Sequence, residues 1–188
     1  SGCKSDAINL QDCDFCSITD NKIQWHAANT STAAIKVQAT ADNTHGDISI
    51  SNNNIYTYNG GDGIKIDGTY AVNRVIIDGN TINGVSSQYP IYVGTNNTQV
   101  SIANNSVYAG SIPGAAITCV AGASGATMFS VCGNTVEATT DTGIFLDNGA
   151  TTEICTVNNN TIKAATGIKV DSGVIAVTVS GNTIYSTS

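Results

Sequence analysis

Leucine and arginine are almost missing from this chain: two leucines, Leu10 and Leu146, and a single arginine, Arg74, occur in 188 residues. Methionine and tryptophan occur once each, and charged residues make up 11%. Amphipathic helices are built from those residue types, so their scarcity argues against helix throughout. A net charge of −7 with one arginine argues against nucleic acid and against anionic membrane surfaces as partners. No apolar run approaches the roughly 20 residues of a membrane span, so no membrane insertion is expected. No signal-peptide pattern opens the chain either.

What is plentiful is Asn, Thr, Ser, Ile, Val and Gly, the composition of short strands joined by tight turns. These residues fall into a phrase that recurs seven times: apolar, spacer, apolar, two spacers, asparagine, spacer, then Ile or Val. It reads CSITDNKI, ISISNNNI, VIIDGNTI, VSIANNSV, FSVCGNTV, CTVNNNTI and VTVSGNTI. Its asparagines are Asn21, Asn53, Asn80, Asn105, Asn134, Asn160 and Asn182, at spacings that shrink from 32 to 22 residues. Apolar residues alternate with Ser or Thr, as in Ile48 and Ile50 or Val177 and Val179, which is the period of a strand. The asparagine often follows glycine, where the chain must bend and a left-handed conformation is tolerated.

A repeat of this length built from strands predicts a solenoid of stacked coils, with like placed on like. The asparagines then exchange amide hydrogen bonds along the stack. Three apolar columns are expected: Cys16 to Val177, Ile18 to Val179 and Ile23 to Ile184. The phrase resembles the parallel β-helix repeat of the pectin-lyase-like superfold, found in polysaccharide lyases and hydrolases and in bacteriophage tailspikes. The resemblance covers nearly the whole chain. It implies an all-β, right-handed parallel β-helix of about seven coils, a single domain over residues 1–188. For function it implies less, because one scaffold hosts many activities.

The repeat leaves no evident sequence to cap either open end, so the chain is expected to be a fragment of a longer one, or to have its ends covered by another chain. Of six cysteines, Cys16, Cys119 and Cys155 fall on inward positions, where cysteine acts as a small hydrophobe. Thiols throughout are the expectation, with Cys3 and Cys13 the pair nearest enough in sequence for a bridge to be imagined. That usage suits a virion protein assembled in a reducing cytosol.

A second phrase supplies a further wall: DAINL, AIKV, GIKID, PIYVG, AITCV, GIFLD and GIKVD. Its outward positions read Lys36, Lys65, Tyr92, Thr118, Phe145 and Lys169, aromatics flanked by lysines that can stack on sugar rings and pair with acidic substituents. An outward row after the third apolar column reads Gln24, Tyr56, Asn83, Tyr108, Glu137, Lys163 and Tyr185, with Trp25 beside it. The substrate-binding candidates are therefore Lys65, Tyr92, Phe145, Lys169, Tyr56 and Tyr108. The outward positions of the first strand, Ser17, Ser49, Ile76, Ser101, Ser130, Thr156 and Thr178, suggest a flat uncharged face suited to solvent or to a subunit contact.

Glycoside hydrolysis needs two carboxylates about 5 Å or roughly 6.5 to 9.5 Å apart, and stacked coils supply such separations readily. Glu137 and Asp141, placed in one turn before GIFLD, are the sharper candidates; Asp147 and Asp171, at equivalent places in neighbouring coils, are the others, with Asp67 three coils before Asp147. Aspartate ending a strand also simply orders the turn. Lyase chemistry is poorly supplied, since Arg74 is alone and His26 and His45 are read as residues of early loops. GGDGIKID lacks the aspartate of a calcium repeat at Lys65, and the cysteines lack zinc spacing, so no metal and no cofactor are expected.

These readings point to recognition of a cell-surface polysaccharide by a viral tailspike or tail-fibre-like β-helix, a homotrimer located in the virion tail or outside the cell. Whether it also cuts the polysaccharide is open. The alternatives are a secreted bacterial polysaccharide lyase or hydrolase of the same superfold, and a non-catalytic virion spacer.

Overall fold

The computed structural model describes residues 5–26, 32–41, 45–58, 60–84, 89–94, 96–110, 114–120, 127–147, 153–174 and 176–187. Among them there is no helix; nineteen strands follow one another in a repeating order of three per coil. The first coil is β1 (Ile8–Gln11), β2 (Ser17–Thr19) and β3 (Lys22–His26); the second is β4 (Ala33–Gln38), β5 (His45–Ser51) and β6 (Asn54–Tyr58). Next come β7 (Asp62–Ile66), β8 (Val72–Asp78) and β9 (Thr81–Gly84), then β10 (Ile91–Val93), β11 (Gln99–Ala103) and β12 (Ser106–Ala109). The fifth begins with β13 (Ile117–Val120) and β14 (Thr127–Cys132). From there β15 (Thr135–Asp147) and β17 (Thr161–Val170) each close one coil and open the next, with β16 (Glu153–Asn158), β18 (Ala176–Ser180) and β19 (Thr183–Ser186) completing the chain.

Every pairing is parallel, and each strand pairs with its counterpart one coil away. The first wall is a seven-stranded sheet; the other two walls form a twelve-stranded sheet, joined where β15 and β17 turn from one to the other. Five coils are thus covered on both sides, between one end coil at each extremity.

Register fixes the columns. Ile18, Ile50, Ile77, Ile102, Val131, Val157 and Val179 superpose. So do Ile23, Ile55, Ile82, Val107, Val136, Ile162 and Ile184. These β-branched side chains interdigitate coil on coil, and in the covered coils the column residues are essentially free of solvent.

The asparagines form the predicted column. From Asn21 to Asn160 the backbone N–H and the Nδ2 of each asparagine donate to Oδ1 of the next, as with Asn80 to Asn105 at 2.9 Å in both bonds. Nδ2 also donates to a backbone carbonyl of the preceding coil, here that of Ile50 at 2.8 Å. One side chain thereby satisfies groups in three successive coils. The residue just before it takes a left-handed conformation in every coil: Asp20, Asn52, Gly79, Asn104, Gly133, Asn159 and Gly181. From the second coil onward asparagine and glycine alternate. A Cβ on Gly79 would stand 2.6 Å from Asn52 Oδ1, and one on Gly133 would stand 2.7 Å from Asn104 Oδ1, so each asparagine fills the space its glycine leaves.

The two ends differ. Trp25 is 2% exposed and lies on a fourth inward column with Thr57, Gly84, Ala109, Ala138 and Ala164. Its bulk lies in the core of the first coil, and its Nε1 donates to the Ser5 carbonyl at 3.1 Å. The placement of Trp25 on an exposed row is therefore corrected: two residues beyond Ile23, it shares the inward parity. At the other end Val179 and Ile184, on core columns, are each 49% exposed. In the first coil Ile8, Leu10 and Cys16 are only partly buried, so Trp25 covers part of that end.

Two further expectations change. Cys13 and Cys16 pair as a disulfide, with Cα atoms 6.4 Å apart, and Cys119 and Cys155 are buried; thiols throughout is wrong at the CDFC turn. His45 is not a loop residue but opens β5, buried, with ring nitrogens 3.6 Å from Asp12 Oδ1 and 3.5 Å from Asp14 Oδ2. Cys3, the side chain of His26, the Asn29-Thr30-Ser31 triplet and most of the loop excursions lie outside the described residues.

Candidate functional site

On the outward side of the second wall, register brings Lys36, Lys65, Tyr92, Thr118, Phe145 and Lys169 into one row. Parallel strands set its members about 4.8 Å apart. Lys65 Nζ lies 5.2 Å from the centroid of the Tyr92 ring, and Lys169 Nζ 4.5 Å from that of Phe145. Both are within cation–π range. Tyr89, just before the strand, adds a third ring 5.2 Å from Tyr92 and tilted by 38°. Gly94 is what lets Tyr92 lie along the wall: a Cβ there would meet Asp67 Oδ1 at 2.8 Å and Tyr92 Cε1 at 3.1 Å.

Carboxylates surround these rings. Asp62 is 1% exposed, accepts from the Tyr89 backbone N–H at 3.0 Å, and has Oδ2 3.6 Å from Lys65 Nζ. Burial pushes its carboxyl up to about 6, against the opposing pull of the Lys65 ammonium and the Tyr89 N–H. Asp67 reaches Lys65 Nζ at 3.6 Å from the other side, and its Oδ1 accepts from the Gly68 N–H at 2.9 Å, which orders the turn. The Tyr92 hydroxyl is pushed up to about 12, first by burial and then by the nearby Asp67, Tyr89, Asp62 and Asp147.

The row continues toward the first coils as a polar shelf of about 240 Å³ between Lys36, Gln38, Thr40, Asp67 and Thr69. Its rim is rigid. Gln38 donates to Gln11 at 3.2 Å, Gln11 to Thr40 Oγ1 at 2.9 Å, and Thr40 Oγ1 to Asp12 Oδ2 at 2.7 Å. The backbone N–H groups of Ala41 and Thr40 hold the Asp12 carboxyl well below the usual carboxylate range.

The third-wall row is also in register, but its tyrosines do not meet: Asn83 separates Tyr56 from Tyr108. Glu137 is bound to Lys163 Nζ at 2.7 Å across one coil step, and that pairing raises the lysine. Glu137 and Asp141 do not share a turn, as expected from the sequence; they lie on the continuous strand β15, apart by the register shift between Ala138 and Thr142. Asp141 Oδ1 accepts from the Thr142 N–H at 2.7 Å. Asp147 ends β15 and Asp171 directly follows β17 at the equivalent place in the next coil, where its Oδ1 accepts from the Ser172 N–H at 2.8 Å. Turn ordering is thus what Asp67 and Asp171 visibly do.

The outer face of the first wall is not flat. A groove of about 510 Å³ runs along it, with Ile76, Met128 and Ile154 exposed in it and Arg74 at one end. Arg74 is clamped to Asp47 by bonds of 2.6 and 2.5 Å. Ile76 interrupts the Ser/Thr column read from the sequence, and Met128 and Ile154 stand in the outward column beside it.

Sequence reasoning passed over Tyr89 and the pairing of Lys65 with both Asp62 and Asp67. The available signal was Asp62, Lys65 and Asp67 within six residues on a strand whose outward lysine can reach both neighbours.

The family model described as Right handed beta helix region matches residues 6–184, and the chain belongs to that family. Neither the curated proteins nor the solved structures provide a match. The β-helix fold suggests a carbohydrate-binding or carbohydrate-acting protein of the pectin-lyase-like kind.

Proposed function

We propose that this protein recognises a cell-surface polysaccharide along its second-wall row, as part of a viral tailspike- or tail-fibre-like assembly. The observation that carries the reading is a pair of rings in one row, each with a lysine ammonium beside it: Lys65 on Tyr92 and Lys169 on Phe145. Tyr92 and Phe145 stand two coil steps apart, about 10 Å along the stack, a separation suited to alternate units of an extended glycan. A rigid scaffold holds them there without the ordering cost a loop would incur. The apolar groove of the first wall suits contact with further copies, in keeping with a homotrimer.

A secreted bacterial enzyme of the same superfold is the second reading. The Cys13–Cys16 disulfide favours it, because such bonds persist in oxidising compartments. In that case Asp147 and Asp171, or Glu137 freed from Lys163, act on the bound glycan. One experiment separates the readings: incubation with a panel of neutral and acidic bacterial polysaccharides, following binding and release of reducing ends. Retention lost in Tyr92→Ala and Phe145→Ala supports recognition on this row, new reducing ends support the enzyme, and neither result would leave a structural spacer.

A further inference from the structure

The asparagine column is complementary to itself across the two ends of the stack. Asn160 donates its backbone N–H and its Nδ2 to Asn182 Oδ1, each at 2.9 Å. Asn182 meets no further Oδ1 among the described residues, and its Nδ2 reaches only the Val157 carbonyl, at 2.8 Å. At the other end Asn21 donates twice to Asn53 Oδ1, each at 3.0 Å, and no described residue donates to its own Oδ1. Its Nδ2 also lacks a carbonyl of a preceding coil, the bond that Asn53 makes with Ile18 at 2.8 Å. By that same rule the open acceptor at the last coil is the Val179 carbonyl. Each end therefore holds what the other is missing.

The apolar columns are open at the same two places. Val179 and Ile184 are each 49% exposed in the last coil, and Val170 is 40% exposed. In the first coil Ile8, Leu10 and Cys16 are only partly buried. Continuing the register that runs through the chain sets Ile18 on Val179, Ile23 on Ile184 and Leu10 on Val170. The bulky Trp25 then meets Ser186, a small residue that follows Ala164 in its column. At the corner Asp20 follows Gly181, a side chain after a glycine, as Asn104 follows Gly79 and Asn159 follows Gly133. No two charges of one sign stand opposite each other in this register.

We infer that the end face of the last coil is a docking surface for the first coil of a second copy of this chain, so that molecules join end to end as one continuous solenoid. Asn182 donates its N–H and its Nδ2 to Oδ1 of the second copy's Asn21, whose Nδ2 donates to the Val179 carbonyl. The two faces differ, so the contact is head to tail and repeats instead of closing on itself. It covers strand edges that otherwise present unpaired backbone groups. The proposal is independent of the glycan row and of the first-wall groove, which both lie along the sides of the stack.

The test uses Lys22→Cys in one preparation of the full chain and Thr183→Cys in another, both at exposed positions. End-to-end docking sets these two residues opposite, about 4.8 Å apart, within the span of a disulfide. Under mild oxidation the mixture is expected to form cross-linked dimers beyond those of wild type or of either variant alone. Sedimentation of wild type should show rods that lengthen with concentration. Val179→Lys, at the exposed end, should weaken association by about tenfold or more and abolish the cross-link when combined with Thr183→Cys. Asn182→Asp, which keeps an oxygen for Asn160 but loses the donors, should do the same, so the outcome does not depend on how one substitution folds. Ile76→Lys, in the side groove, should leave the cross-link intact. Wild type that stays monomeric at every concentration overturns the proposal. So does a mixture that cross-links no more than its components, or an association that Ile76→Lys weakens and Val179→Lys and Asn182→Asp do not.

Discussion

Asn105 and Asn134 are tied twice: the backbone N–H of Asn105 donates to Asn134 Oδ1 at 2.9 Å, and its Nδ2 donates to the same oxygen at 3.0 Å. Nδ2 of Asn105 also reaches the carbonyls of Ile77 and Ala103, each at 2.9 Å, while its own Oδ1 accepts both bonds from Asn80. Asn105→Ala therefore strands buried donors and acceptors in three coils at once. The expected loss is about 3 to 5 kcal/mol, read from the urea midpoint, and far exceeds that of a single surface hydrogen bond. A loss below about 1 kcal/mol would show that the column follows the coils without holding them.

Gly133 and Asn104 should behave as a coupled pair. Gly133→Ala meets both a left-handed backbone, φ 67°, and the Asn104 Oδ1 atom. About 2 to 3 kcal/mol of destabilisation is expected, of which about 1 belongs to the backbone. Adding Asn104→Gly removes the collision but not the backbone term. A double-mutant cycle on denaturation free energies should return a coupling of about 1 kcal/mol or more, and strict additivity would contradict the packing described.

Asp62 gives the stability a pH dependence of definite sign. Its carboxyl is raised in the folded protein from 3.8 to about 6, so the folded state binds its proton more tightly than the unfolded chain does. The group favours folding most below the unfolded value, and that contribution is lost as pH rises through about 6. The swing is on the order of 2 to 3 kcal/mol. Asp62→Asn retains an Oδ1 for the Tyr89 N–H and does not titrate, so its melting temperature should fall less than that of wild type between pH 4 and pH 6. Parallel curves for the two proteins would remove Asp62 from the account.

Trp25 is expected to hold the first coil shut. Trp25→Ala removes a large side chain that is 2% exposed, together with its bond to Ser5, and should cost about 3 to 5 kcal/mol. Because coils contact only their neighbours, hydrogen exchange should quicken in β1 to β3 well before β11 or β14. Uniform quickening along the stack would argue that the coils open as one unit.

The columns were legible because identical side-chain types recur at identical places, and parallel stacking turns that recurrence directly into contact. The asparagine and apolar columns could be written out from the sequence position by position. Surface properties were less legible, since they depend on side chains from different coils and on reach across a corner. Asp62 is buried because Lys65 and the Tyr89 backbone close over it, one from its own strand and the other from the next coil, 27 residues on. Trp25 was misplaced although the period of two already assigns it inward, two residues after Ile23. The Cys13–Cys16 pairing depends on how one turn folds, which the repeat does not encode.

The alternation of asparagine and glycine at the left-handed corner makes the building block of this solenoid a doublet. Asn52 rests on Gly79, Asn104 on Gly133 and Asn159 on Gly181. Excising the third coil alone would bring Asn52 against Asn104, two amides claiming the room meant for one. Excising coils three and four together would restore the fit. Shortening or lengthening of the molecule is therefore tolerated in even steps, and circular duplication of two adjacent turns is the smallest insertion that leaves every corner matched.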